Sequence, residues 1–197
     1  MITVSNVTRI EGQTFPEYLK LREYSNSFFK SQKYGISQNV TVSDKMRLGS
    51  LVDGILLEPG AVDMTDPLYP AAKDIAVLIR KRFGTIIPQL IRQVSYTSTF
   101  EYAGLKLPVK GRLDMELLGK MVIDLKVTDT KANAIPALIH HMGYDIQLTG
   151  YMLQSGAQST ALIIHSVPDK KTLMLPIAIT DRAINEWCDR VINFGAV

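Results

Sequence analysis

The sequence predicts one mixed α/β domain in which helices flank a central sheet. Three observations indicate this class. A two-residue period runs from about residue 91 to 127, helical periods lie before and after it, and two more strand-like runs follow the second helical stretch. Three strands, a crossover helix and a further strand make a mixed sheet with helices on its faces. At 197 residues, the chain can bury a substantial core.

Residues 1–43 predict an N-terminal helical arm that covers one side of the core. Within this arm, Thr14 can cap a helix that spans residues 16–24. Ser27 and Lys30 follow that helix. A contact between these two side chains and a phosphate is the alternative to a purely structural arm.

The predicted core, residues 44–197, opens with two amphipathic helices over residues 43–57 and 71–82. Asp53 belongs to the first helix and lies one turn after Gly49. Without other information, a carboxylate at such a position is more often a surface residue than a ligand.

The rest of the core alternates between strands and helices. A three-stranded meander comes first, a single long helix crosses over, and two strands and an amphipathic helix complete the chain. The predicted bounds of these elements are 91–102, 105–117, 121–127, 136–156, 160–167, 173–179 and 181–194.

The second strand of the meander carries charges among its apolar residues. Leu113, Met115 and Leu117 alternate, so we expect them to share one face. Asp114 then projects from the other face together with Arg112. Arg112 could meet a phosphate, or it could simply pair with an acid.

The third strand adds a second carboxylate and a lysine. Asp124 and Lys126 emerge together, opposite a face formed by Met121, Ile123, Leu125 and Val127. An unpaired charge in a buried strand is costly. Two carboxylates on adjacent strands can hold a hard cation such as Mg²⁺ or Mn²⁺, and a lysine beside them can orient or help deprotonate an attacking water. The alternative is a sheet edge with solvated charges.

The predicted crossover helix places three polar side chains in one stripe. Tyr144, Gln147 and Tyr151 are spaced at i, i+3 and i+7. Glutamine can bind a phosphate, and a tyrosine can stack on a base. Such a stripe is more often the edge of a core. It indicates a functional site here only because it directly follows the Asp-x-Lys strand.

Composition excludes several classes of protein. Hydrophobic residues make up 46% of the chain and charged residues 21%, which is ordinary for a folded domain. A net charge of +3 permits an anionic partner without requiring one. The single cysteine, Cys188, excludes a disulfide framework and a cysteine-ligated zinc or iron–sulfur site within one chain. The sequence contains no apolar run long enough to span a membrane and no pattern of a secretory leader. We therefore expect a cytoplasmic protein without membrane contact.

Three ordered motifs together resemble a known family. They are Gly-x-x-Asp at residues 111–114, Asp-x-Lys at 124–126 and Gln-x-x-x-Tyr at 147–151. In this order they resemble the PD-(D/E)XK nuclease superfamily, and more closely its RecB-like exonuclease branch with the RecE and lambda-exonuclease (YqaJ-type) viral recombinases. Shorter matching words lie at 25–28, 56–59 and 143–147. The resemblance implies a restriction-endonuclease-like αβββαβ core.

The resemblance also implies a metal site. Asp114, Asp124 and the backbone carbonyl of Leu125 would bind Mg²⁺ or Mn²⁺. Many relatives carry a further histidine ligand where this chain has Asp53, which can still bind a hard cation. Relatives also tend to have a glutamate early in the first strand, where this chain has Gln93.

The remaining motif residues receive roles by the same resemblance. Lys126 would position the nucleophilic water, and Gln147 and Tyr151 would support the site and contact DNA. Tyr144 and Arg112 are further candidates for DNA contacts, as are the two arm residues.

The function expected from the resemblance is a metal-dependent DNA exonuclease that degrades one strand of linear duplex. Phage-type recombination or repair in a host cytoplasm is the implied setting, with a homo-oligomeric ring and a single-strand annealing recombinase as implied partners. Three alternatives stay open. They are a nuclease specific for single strands or flaps, a sequence-specific restriction-type endonuclease, and a DNA-binding module without catalysis, for which Asp53 in place of histidine is the main support.

Overall fold

The computed structural model describes residues 3–25, 42–102 and 104–195. Seven strands and six α-helices are present in these ranges. In chain order they are β1 (Thr3–Ile10), α1 (Phe15–Leu19), β2 (Tyr24–Ser25), α2 (Asp44–Leu57), α3 (Tyr69–Phe83), β3 (Ile91–Tyr102), β4 (Leu105–Leu117), β5 (Met121–Thr128), α4 (Ile135–Met142), α5 (Tyr144–Ser155), β6 (Ser159–Ser166), β7 (Lys171–Pro176) and α6 (Asp181–Gly195).

All seven strands belong to one mixed sheet. Six of them follow the order β1-β3-β4-β5-β6-β7, and β2 pairs with β4 beside this path. The β5–β6 and β2–β4 pairs are parallel, and the other pairs are antiparallel. The helices α4 and α5 provide the crossover that parallel pairing of β5 and β6 requires. The predicted mixed α/β class and its αβββαβ order are confirmed.

The sheet separates two apolar layers. One face packs against α2 and α3, and it includes four alternating residues of β5, namely Met121, Ile123, Leu125 and Val127. Their predicted common face is therefore confirmed. On the other face, Val94, Leu113 and Val122 pack against Leu148 and Tyr151 of α5.

The helix at the start of the core follows the predicted capping. The Ser43 hydroxyl accepts a hydrogen bond from the Met46 N–H at 3.3 Å, so it satisfies one of the free donors at the start of α2. None of the helices in the described ranges has the length and apolar composition needed to cross a bilayer.

The predicted helical arm is wrong in its first third. Residues Thr3–Ile10 form an edge strand that pairs antiparallel with β3. The helix after it is short, spanning Phe15–Leu19 rather than 16–24, although Thr14 caps it as predicted. The strand was hard to recognise because its pairing is interrupted between Ser5 and Thr8 and much of it is exposed. Ser27 and Lys30 lie outside the described residues.

The single crossover helix is also wrong, because two helices replace it. Gly143 takes a left-handed conformation with φ of +67°, and its N–H donates to the carbonyls of His140 and Ile139. Glycine adopts this conformation without a steric cost, so it ends α4 and lets α5 begin in a new direction. The Tyr144–Tyr151 stripe therefore lies on a helix that starts at this break.

Candidate active site

The site is built around an interruption in the pairing of β4. Along one edge, β4 pairs with β5 only through Met115–Leu117 and with β2 only through Val109 and Lys110. Between these two pairings, the described part of the chain leaves residues 111–114 without a strand partner on that edge. This open interval contains the Gly-x-x-Asp motif.

A side chain spans the opening instead of a backbone ladder. The Asp114 carboxylate accepts a hydrogen bond from the Leu125 N–H at 2.8 Å. A buried N–H group requires an acceptor. The Leu125 N–H finds one in this carboxylate, although no carbonyl of β4 lies opposite it. The same bond holds Asp114 close to the Asp124–Lys126 segment.

The other edge of β4 is irregular at the same level. Gln93 on β3 has a φ of +53°. The antiparallel pairing of β3 with β4 skips Gln93 and Asp114 and continues on both sides of them with the same register. Leu113 and Met115 consequently pack into opposite apolar layers. The predicted shared face of these residues is wrong, because the alternation of the strand changes where Gln93 leaves the extended conformation.

Three carboxylates from different elements influence one another here. Burial raises the pKa of Asp53 to about 7, with Asp124 and Glu58 adding repulsion against the attraction of Lys126. Burial also raises the pKa of Asp114 well above its ordinary range, followed by the charges of Asp124 and Asp53. Asp124 itself is only 2% exposed. The fold therefore concentrates negative charge in a poorly solvated place.

Lys126 supplies the positive charge of this cluster. Burial alone would lower the pKa of Lys126, but the carboxylates of Asp124 and Asp114 raise it above its ordinary value. The ammonium group forms an ion pair with Asp124 and donates to the Leu125 carbonyl at 3.2 Å. It also lies 5.6 Å from the ring centroid of Tyr144. Lys126 is thus held as a cation at neutral pH.

The donor atoms of the cluster fit a hard divalent cation. Asp53, Asp114 and Asp124 offer carboxylate oxygens, and the Leu125 carbonyl points toward the Lys126 ammonium and hence into the cluster. Among the described residues, no three acidic, histidine or cysteine side chains already stand in a ligand arrangement. Mutually repelling carboxylates, of which Asp124 is buried and the other two half-buried, are nevertheless the electrostatic setting that a cation neutralises.

The Gln-x-x-x-Tyr motif faces this cluster from α5. Gln147 donates to the Tyr151 hydroxyl at 2.8 Å. Burial raises the pKa of Tyr151, and the charges of Asp124 and Asp114 raise it further. The structure therefore brings the three predicted motifs together, with Tyr151 between α5 and the carboxylates.

Close packing of α5 on β4 depends on Gly111. A Cβ atom at this position would lie 2.4 Å from Gln154 Oε1 and 3.1 Å from Tyr151 Cδ1. A real Cβ atom does not approach an atom as closely as 2.4 Å, so any larger residue here would displace the Gln154 amide and press on the Tyr151 ring. The first residue of the Gly-x-x-Asp motif thus has a packing role.

Arg112 is the most buried cation beside the cluster. It is 7% exposed, it pairs with Glu58, and its guanidinium carbon lies 5.4 Å from the ring centroid of Phe15. Its Nε and Nη1 atoms have no hydrogen-bond partner among the described residues. Buried donors of this kind are costly without an acceptor, which points to a ligand that supplies one.

Two cavities meet at the cluster. One, of about 620 Å³, is lined by Asp53, Gln93, Arg112 and Asp114. The other, of about 480 Å³, is lined by Asp53, Lys126 and Tyr144. Asp53 lies at the wall of both cavities. An extended ligand could therefore run from one cavity to the other, alongside the carboxylates.

Sequence reasoning missed two residues of the site. Glu58 stands at the C-terminal end of α2, where its pairing with Arg112 brings it to the cluster. Gln93 was noted only as a departure from relatives. The matching word at 56–59 contains Glu58 and was the available signal for it, but no local pattern predicts a left-handed glutamine within a strand.

A solved structure shares this fold. It is a protein from Eubacterium rectale named a "putative exonuclease", and it has a TM-score of 0.62 and 17% identity over 94% of this chain and 85% of that one. The similarity supports the predicted fold class. No protein-family model and no curated protein matches the sequence.

Two other solved structures are more distant. One is SSO0001, with a TM-score of 0.42 and 18% identity over 64% of this chain and 63% of that one. The other is Rai1 from Scheffersomyces stipitis, with a TM-score of 0.31 and 9% identity over 84% of this chain and 62% of that one. At these scores neither bears on the site.

Proposed function

We propose that the chain is a metal-dependent nuclease that hydrolyses phosphodiester bonds of DNA, and that it acts as an exonuclease on one strand of linear duplex. The observation that carries this proposal is the cluster of buried Asp124 and half-buried Asp53 and Asp114, with Lys126, at the open edge of β4. The ordered PD-(D/E)XK motifs and the shared fold of the protein named as an exonuclease support the same chemistry.

Mg²⁺ or Mn²⁺ would be held by Asp114, Asp124 and the Leu125 carbonyl, with Asp53 as a further ligand. Such an ion polarises a phosphoryl oxygen and lowers the pKa of water. The protein supplies the carboxylates, and the Asp114–Leu125 hydrogen bond holds Asp114 next to the strand that carries Asp124. No histidine is needed in this set, because carboxylates suit hard cations.

Lys126 has a narrower role than the sequence allowed. The carboxylates of Asp124 and Asp114 raise the pKa of its ammonium group, which favours an orienting role over that of a base for water. A fixed ammonium group can instead orient water and stabilise the negative charge that grows on a phosphate oxygen during attack. The ion pair with Asp124 holds the ammonium group in place for this task.

Arg112, Tyr144, Gln147 and Tyr151 would contact the DNA strand. The buried Arg112 guanidinium has two nitrogens ready for phosphate oxygens. Gln147 bonds Tyr151 and so fixes the tyrosine hydroxyl beside the carboxylates. Ser27 and Lys30 are proposed phosphate contacts on sequence grounds.

The biological setting is proposed from the resemblance alone. It comprises phage-type recombination or repair in a host cytoplasm, a ring of identical chains around the duplex, and a single-strand annealing recombinase as partner. A nuclease for single strands or flaps is the second candidate. The two cavities that share Asp53 on their walls favour it, since together they offer one strand a place on either side of the carboxylates.

End-labelled linear duplex, closed circular duplex and single-stranded DNA test the proposal, each with Mg²⁺, Mn²⁺ or EDTA. We expect nucleotide release from linear duplex with either metal and none with EDTA. Release from single strands or flaps alone would select the second candidate. DNA binding without cleavage under any divalent ion would overturn the nuclease proposal and leave a binding module.

Asp124→Asn removes one charge without changing the shape of the side chain. We expect cleavage to fall by about two orders of magnitude or more, because the carboxylate is both ligand and Lys126 partner. Asp74→Asn makes the same chemical change on the exposed side of α3 and should leave cleavage unchanged. Equal activity of the two variants would show that the site is elsewhere.

A further inference from the structure

The 480 Å³ cavity on the Lys126 side has two chemically different ends. Lys126 and Asp53 form its charged end and belong to the carboxylate cluster. At the other end, the lining includes Met46, Leu138, Met142 and Tyr144. Its volume lies in the range of sites that hold small organic groups.

The apolar end is unusually open to solvent. Met46 is 53% exposed and Met142 is 37% exposed, and both stand at the cavity with the half-buried Tyr144. Methionine side chains adapt to flat ligands and contact aromatic rings favourably. Exposed apolar groups beside half-buried charges suit a ligand that carries an anionic group at one end and a flat apolar surface at the other.

We propose that this cavity is a nucleobase site, in which the base of the nucleotide next to the scissile phosphate stacks on Tyr144 between Met46 and Met142. The proposal rests on the proposed nuclease function, because the phosphate of that nucleotide would lie at the Asp53–Lys126 end. The two sides of the cluster would thus bind different parts of the DNA strand. This cavity would hold a base, whereas the cavity on the other side offers the DNA strand the guanidinium group of Arg112.

Lys126 prepares the Tyr144 ring for this role. Its ammonium group lies 5.6 Å from the ring centroid, and the same group is fixed by Asp124. Tyr144 also packs against the buried cluster of Ile135, Ile139, Leu162 and Ile164, which limits its rotation. A ring held in this way presents a rigid stacking surface, and stacking tolerates any base because each has a π-face.

The test compares intact DNA with DNA that carries an abasic sugar next to the cleaved bond. On intact DNA, Tyr144→Ala should lower kcat/KM roughly 5- to 100-fold, the value of one base–aromatic stack. On abasic DNA, the same substitution should have no further effect, because the stacking partner is already gone. Tyr144→Phe keeps the ring and should keep the higher kcat/KM on intact DNA than on abasic DNA.

Two outcomes would overturn the base site while leaving the nuclease function standing. One is an equal loss on intact and abasic DNA, which would show a contact to sugar or phosphate. The other is a loss in Tyr144→Phe as large as that in Tyr144→Ala, which would assign the role to the hydroxyl group. Failure of the wild-type protein to cleave any DNA would instead count against the nuclease function.

A second variant and a binding measurement guard against misfolding. Met142→Ala changes an exposed side chain and should lower kcat/KM about 2- to 5-fold on intact DNA only. In calorimetry, wild-type protein should bind deoxyadenosine monophosphate more tightly than deoxyribose 5-phosphate, and Tyr144→Ala should abolish the difference. Equal affinity of the wild-type protein for both compounds would refute a base site without reference to catalysis.

Discussion

Gly111→Ala is the substitution whose effect the structure defines most sharply. The added Cβ would stand 2.4 Å from Gln154 Oε1 and 3.1 and 3.2 Å from two ring carbons of Tyr151. Both neighbours are buried on α5: the Gln154 amide can turn away only by giving up its place, and the Tyr151 ring must give way by a few tenths of an ångström. The variant should therefore be destabilised although it adds only one methyl group.

The size of the loss follows from the cost of overpacking. Inserting a methyl group into a packed interior costs about 1 to 3 kcal/mol in the free energy of unfolding. The nearest atom belongs to Gln154, whose amide nitrogen donates to Ser98 at 3.2 Å. Releasing that amide would forfeit about 1 kcal/mol more. We expect a total of about 2 to 4 kcal/mol.

Urea unfolding of Gly111→Ala, Gln154→Ala and the double variant measures this loss. Removing the Gln154 side chain takes away the closest contact, so the alanine at position 111 should cost at least about 1 kcal/mol less in that background. DNA cleavage should also fall in Gly111→Ala, because Tyr151 is displaced from the carboxylates.

Gly49→Ala is the matched control. No heavy atom lies within 4 Å of its Cβ position, and Gly49 sits within α2. Alanine should stabilise this helix by up to about 1 kcal/mol. Two results would show that the close approach of α5 to β4 is not the reason for Gly111. One is a free energy of unfolding of Gly111→Ala equal to that of the wild-type protein, and the other is additivity of Gly111→Ala and Gln154→Ala in the double variant.

Three more predictions concern the core. Burial lowers the pKa of His165 from 6.5, and its ring forms a hydrogen bond with Thr172 at 2.8 Å. The stability present above about pH 6.5 should therefore be lost as the pH falls, by up to about 1.4 kcal/mol per pH unit. His165→Gln should flatten that loss in urea unfolding. Burial raises the thiol pKa of Cys188 to about 11, so an aromatic disulfide reagent at neutral pH should label it about 100-fold faster in urea than in the folded protein. Tyr96→Phe removes a 2.7 Å hydrogen bond to the fully buried Glu116 and should cost about 1 to 3 kcal/mol in the free energy of unfolding.

Each of these has a contrary result. A stability profile of His165→Gln parallel to that of the wild-type protein would place the titrating group elsewhere. Fast labelling of Cys188 in the folded state would mean that α6 opens readily. A neutral Tyr96→Phe would show that Arg9, which also donates to Glu116 at 3.1 Å, satisfies the carboxylate by itself.

Local patterns were sufficient for the meander. β3, β4 and β5 were predicted with bounds that match the structure to within a residue, since strong alternation and two glycine turns leave little freedom. The first strand escaped because its pairing partner, β3, is about 90 residues away in the chain and its own alternation is weak. Pairing at that distance has no local signal.

The candidate site was predictable in membership but not in geometry. Asp114, Asp124 and Lys126 were recognised because charged residues in buried strands are rare. Their approach depends on the left-handed Gln93 and on the open edge of β4, neither of which is a property of a sequence window. The pairing of Arg112 with Glu58 likewise arises only from tertiary packing.

The hydrogen bond from Leu125 to Asp114 gives the protein an internal reporter. This backbone proton lies within a strand, yet its acceptor is a carboxylate whose charge changes with protons or cations. Its NMR chemical shift and its rate of exchange with deuterium would follow the state of that carboxylate directly. A single resonance, needing no added label, would therefore register the ionisation of the site in solution.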